Sequence, residues 1–84
     1  MIAIERMFDM NKRQIKLSKP EDARELVSTA SKCDFDIDVY YNRVIVGAKS
    51  ILGVMSLDFT QPLTVEYSGS NQSFERVLDR FALC

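Results

Sequence analysis

Polar and apolar residues alternate most clearly from Asp34 to Tyr41, where Asp34, Asp36, Asp38 and Tyr40 take turns with Phe35, Ile37, Val39 and Tyr41. That period of two predicts a strand with one wet and one buried face. Asn42 and Arg43 then make a two-residue junction before Val44–Val46, the pattern of a β-hairpin. Alternation recurs at Gln14–Leu17, with Ile15 and Leu17 on one face, and at Leu63–Tyr67. A period near 3.6 appears twice. Ala23, Leu26, Val27 and Ala30 form one stripe, closed by Thr29–Lys32, and Phe74, Val77, Leu78 and Phe81 form the other. The first stripe follows Ser18-Lys-Pro-Glu21, a capping-box spacing with proline in the first turn, and the second follows Ser70 or Asn71 as N-cap.

A third, short helix is expected over Ile51–Leu57 with Ser50 as its cap, followed by a loop at Asp58–Pro62. Stepping about 100° per residue puts Ile51, Leu52 and Met55 on one arc and Val54 and Leu57 on another. A surface helix needs a single apolar stripe to join a core. Either the helix is buried all round or one arc stays in water as an apolar patch. Barely two turns between a polar cap and a loop are hard to bury on every side, so the patch is expected, and methionine suits a surface that must adapt to a partner.

The order of elements is β-α-β-β-α-β-α. Four strands and three helices in 84 residues predict an α+β open-faced β-sandwich: a four-stranded antiparallel sheet with the helices on one face. Residues 1–10 fit neither period and are expected to be a leader or strand extension, leaving 11–84 as one domain.

Composition mainly excludes. The chain has no histidine, so imidazole chemistry is closed to it, and its net charge of −1 offers no broad basic field for direct nucleic-acid binding. The uncharged stretch Ser50–Leu57 falls far short of a membrane span. Charges at Glu5 and Arg6 interrupt the stretch where a secretory signal would be apolar, so a cytoplasmic location is expected. Two cysteines without a CxxC pair build neither a disulfide framework nor a zinc site. Cys33 is expected in the core and Cys84 at a frayed end. Alternate acids on one flat strand do not converge on an ion, so no metal and no cofactor are expected.

The residues Thr29-Ala-Ser-Lys32, the strand to Tyr41-Asn42, and above all Lys49-Ser-Ile-Leu-Gly-Val-Met-Ser-Leu57 resemble HPr, the phosphocarrier family of the bacterial sugar phosphotransferase system. The likeness runs from about Ser18 to Leu83, with Leu52 where methionine is commoner. In that family a histidine just before the first helix carries phosphate between proteins, held by helix N–H groups and an arginine. Counting back from Thr29 without gaps, Lys19 falls at the histidine and Glu21 at the arginine. Lysine is protonated at neutral pH and a poor acceptor, and Glu21 and Asp22 oppose an incoming phosphate. The phosphohistidine site is degenerate.

The resemblance implies that the serine at Ser50 is phosphorylated by a dedicated HPr kinase/phosphorylase. It also implies that Ile51, Leu52 and Met55, with Lys49 nearby, dock onto protein partners such as a LacI-type catabolite-control regulator or transport-system proteins. Three readings follow: a non-enzymatic regulatory protein switched at Ser50; an unmodified adaptor using the same patch; and phosphotransfer through Lys19, Ser18 or Cys33. The resemblance leaves a monomer or a strand-exchanged dimer open.

Overall fold

The computed structural model describes residues 11–83; the expected leader at 1–10 and the chain-end cysteine lie outside the described residues. The order is β1 (Asn11–Ile15), α1 (Pro20–Ala30), β2 (Ile37–Tyr41), β3 (Val44–Gly47), α2 (Ile51–Met55), β4 (Leu63–Tyr67) and α3 (Gln72–Phe81). The strands form one antiparallel sheet in the order β1-β4-β2-β3. This is the expected α+β, β-α-β-β-α-β-α arrangement.

Alternation places the core. Ile15, Ile37, Val39, Leu63, Val65 and Tyr67 turn inward from the strands and are buried with Ala23, Leu26, Ala30, Val54, Phe74, Val77 and Leu78 from the helices. Side chains of opposite parity, including Lys12, Gln14, Asp38 and Ile45, are exposed. The hairpin between β2 and β3 turns at Asn42, which holds φ of 51°, a left-handed conformation that asparagine accepts readily. Phe81, by contrast, is only half-buried at the foot of its stripe.

Three expected boundaries need correction. β1 runs Asn11–Ile15, not Gln14–Leu17: it pairs with β4 from Asn11↔Tyr67 to Ile15↔Leu63, while Leu17 is buried past the end of the strand. Its first three residues, Asn11-Lys-Arg13, belong to an edge strand, and edge strands tolerate charge. The inward position of Arg13 is met by Glu75 and Asp79 on α3, at 3.0 and 2.6 Å.

β2 begins at Ile37, so Asp34 and Asp36 lie in the loop before it rather than on a strand face. There Phe35 stacks on Tyr67, with ring centroids 6.1 Å apart, instead of continuing the ladder. α1 ends at Ala30, within its expected closing segment, with backbone bonds from Ser31, Lys32 and Cys33 back into its last turn. α2 closes at Met55 rather than Leu57. Ser56 donates its hydroxyl to the Gly53 carbonyl at 2.6 Å and its N–H to the carbonyls of Leu52 and Gly53, which finishes the helix.

Candidate functional site

The start of α1 is built differently from its expected capping box. Pro20, with φ fixed for the first helical turn, makes Lys19 the N-cap, in extended conformation and with no side-chain capping bond. Ser18 therefore sits one residue too early to cap with its hydroxyl. Its backbone N–H instead donates to the Asp22 carboxylate at 2.9 Å. Glu21, expected to reach back, is exposed. Lys19 is exposed too, so the two residues expected at a degenerate phosphohistidine site flank a helix entrance whose loop is held by the Asp22 carboxylate. Negative charge from Glu21 and Asp22 already meets the dipole of this first turn.

The second candidate region starts at Ser50. Its backbone is extended, and its Oγ accepts from the Gly53 N–H at 3.1 Å, while the Val54 N–H bonds to the Ser50 carbonyl. The residue is exposed at the mouth of the helix. Gly53 permits the close packing beneath. A Cβ there would lie 3.2 Å from the Cβ of Val46 and 3.3 Å from Ser50 Oγ, so α2 rests on β3 through a glycine.

The two apolar arcs of α2 separate as their spacing requires. Val54 is fully buried and Leu57 nearly so, whereas Leu52 is 82% exposed and Ile51 and Met55 are each 39% exposed. Ser50, Ile51, Leu52 and Met55 thus share one accessible surface.

Lys49, expected beside the patch, is exposed there and also makes a bond within the fold. Its ammonium donates to the Cys33 carbonyl at 2.9 Å, tying the start of α2 to the chain just beyond α1. That bond serves the scaffold. Cys33 is buried, its Sγ 3.6 Å from the Thr29 carbonyl, and burial raises its thiol pKa, an effect only partly opposed by Lys49. A thiol in that position is a poor nucleophile at neutral pH.

Sequence reasoning missed the network on the other side of the molecule. The Tyr67 hydroxyl donates to Glu75, which with Asp79 also receives the Arg13 guanidinium. Four side chains from β1, β4 and α3 meet there. An arginine at an inward strand position was the available signal, but its partners lie more than sixty residues away in sequence.

Residues 21–83 match the family model described as the PTS HPr component phosphorylation site. Among solved structures, the chain is similar to the phosphocarrier protein HPr from Bacillus anthracis str. Ames, at 26% identity and a TM-score of 0.61, covering 87% of this chain and 93% of that one. It is also similar to HPr-C-His from Thermoanaerobacter tengcongensis, at 32% identity and a TM-score of 0.57, over 83% of this chain and 82% of that one. With most of its length matched by that model, and with this sheet order and helix arrangement, the chain belongs to the HPr family of the phosphotransferase system.

Proposed function

We propose that this protein is a regulatory, protein-binding member of the HPr family, controlled by phosphorylation of Ser50 and acting through the exposed apolar arc of α2, and that it is not a phosphocarrier. The observation that carries the reading is the adjacency of an exposed serine hydroxyl to Ile51, Leu52 and Met55, all left in water by the fold. A family kinase would move the γ-phosphoryl group of ATP onto Ser50 Oγ, breaking its bond to ADP while the hydroxyl proton departs. The ester would add nearly two negative charges beside the patch and offer strong acceptors to an Arg or Lys of a partner. An LacI-type catabolite-control regulator and transport-system proteins are the partner classes this implies.

The helix entrance supports the negative half of the reading. It has no imidazole, Lys19 and Glu21 stand at the corresponding positions, and the Asp22 carboxylate already occupies the Ser18 N–H. Transfer through Lys19, Ser18 or Cys33 has little to support it, since the first two are solvated and the third is buried. A second reading, the unmodified adaptor, draws on the Ser50–Gly53 bond, which explains a serine at this position by capping alone.

Intact mass after incubation with HPr kinase/phosphorylase and ATP separates these readings. The switch predicts a gain of one phosphate by the wild type and none by Ser50→Ala. A wild type that gains nothing leaves the adaptor, and phosphate on the Ser50→Ala chain removes the switch. Labelled phosphate appearing on this chain from the system's first enzyme would restore the carrier.

A further inference from the structure

The two edges of the sheet are treated unequally. β1 carries Lys12 and Arg13, and its end is closed by the C-terminal segment: the Leu83 N–H bonds to Gln14, the Lys16 N–H bonds to Phe81, and Ala82 bridges Ile15. β3, Val44-Ile-Val-Gly47, has no charge, no proline and no covering segment among the described residues. Val44 is 41% and Ile45 65% exposed. A β-branched edge without charge is the kind of strand that pairs with another.

The ladder shows what such pairing would use. Alternate residues of an antiparallel strand turn their N–H and C=O groups to the same side. The Ala48 N–H bonds inward to Ile37, so Val44 and Val46 also face β2, and Ile45 and Gly47 face out. The Gly47 carbonyl already accepts from the Ser50 N–H. The Ile45 N–H, the Ile45 carbonyl and the Gly47 N–H have no partner among the described residues.

We infer that β3 is a self-association edge, on which a second copy of this chain pairs antiparallel about a twofold axis at Ile45, joining the two sheets into one of eight strands. In this register Ile45 meets Ile45 of the other copy as a hydrogen-bonded pair, which uses both of its outward groups. Val44 meets Val46, and Arg43, in the turn just before the strand, comes beside Gly47 of the other copy. The occupant is a second copy because the match is self-complementary in charge as well. Gly47 is paired on its inner side with Asp38 of β2, so each Arg43, in the turn that leads into β3, comes to the end of the row formed by Gly47 and Asp38 of the other copy, with no side chain between. The row occurs twice by symmetry. This association exchanges no strand and does not require the α2 patch or Ser50.

A four-residue strand buries little surface, so the test is sedimentation of the full chain from micromolar to millimolar concentration, with hydrogen exchange at the Ile45 amide. The expected result is a concentration-dependent dimer in which this amide exchanges more slowly as the dimer fills. Ile45→Lys, at an exposed position, should abolish the dimer while leaving the circular dichroism spectrum unchanged. Arg43→Asp should weaken it tenfold or more, and Arg43→Asp combined with Asp38→Arg should restore it. Four outcomes overturn the inference: a monomer at every concentration, an Ile45 amide protected equally at all dilutions because the chain covers its own edge, a dimer indifferent to Ile45→Lys, and a double variant no better than Arg43→Asp.

Discussion

At single residues, space and hydrogen-bond supply decide more than residue class. Gly69 does not have positive φ, so its requirement is steric. A Cβ there would stand 2.0 Å from Cδ2 and 2.4 Å from Cγ of Phe35, the ring stacked on Tyr67. Gly69→Ala must push that ring aside, and overpacking of this kind costs about 1–3 kcal/mol. Urea unfolding should show that loss in the wild-type background and much less of it in Phe35→Ala, where the obstruction is gone; equal losses in both would place the strain elsewhere. The start of α1 makes a similar point. Because Ser18 contributes its N–H and Asp22 its carboxylate, Ser18→Ala should be nearly silent in stability, while Asp22→Ala should cost about 1 kcal/mol. The capping box expected from Ser18 and Glu21 requires the reverse sensitivity, so the same denaturation pair decides between them.

At the level of elements, α2 joins a buried arc to an exposed one, and the two are separable by substitution. Val54→Ala removes buried methyl groups beneath the helix and should lower stability by roughly 1–3 kcal/mol without altering the exposed surface. Met55→Asp and Leu52→Ser should change stability by no more than about 0.5 kcal/mol, as exposed substitutions commonly do, yet abolish capture of a purified partner regulator. Full capture by Met55→Asp would sink the docking role. The patch was legible in sequence because a short helix between a polar cap and a loop is hard to bury on every side, so one of its two apolar arcs stays in water. The element order was legible because the periods of two and 3.6 are strong at β2, β4, α1 and α3. Boundaries were harder. β1 starts three residues earlier than alternation predicts because an edge strand with Asn11, Lys12 and Arg13 carries no alternation to find, and its register is set by β4, about fifty residues away in sequence. The bond from Lys49 to the Cys33 carbonyl was not legible, because nothing local shows that the chain beyond α1 comes back to this ammonium.

Across the whole molecule, groups buried in protonated form make the fold sensitive to base. Desolvation, reinforced by the bond to Glu75 and that residue's charge, raises the Tyr67 pKa far above its ordinary value of 10.0, with Arg13 only partly opposing. Tyr40 on the open face is raised less conspicuously, by desolvation and then by Glu66, and Cys33 is raised above 9.0 chiefly by desolvation. In each case the folded chain holds its proton at a pH where the unfolded chain has released it. The folded state then binds more protons, so stability falls as pH rises. The contribution is complete below the unfolded pKa values and is lost progressively above them, beginning with Cys33 as pH passes 9.0 and steepening with the tyrosines past 10.0. Unfolding free energies from urea titrations should therefore decline over that alkaline interval. Tyr67→Phe should start lower at neutral pH by about 1 kcal/mol, having lost its hydrogen bond to Glu75, but decline less steeply above 10.0 because its largest proton-linked group is gone. Parallel curves for the variant and the wild type in the alkaline limb would show that the Tyr67–Glu75–Arg13 cluster, which ties β1 and β4 to α3, does not hold the proton through which base unfolds the protein.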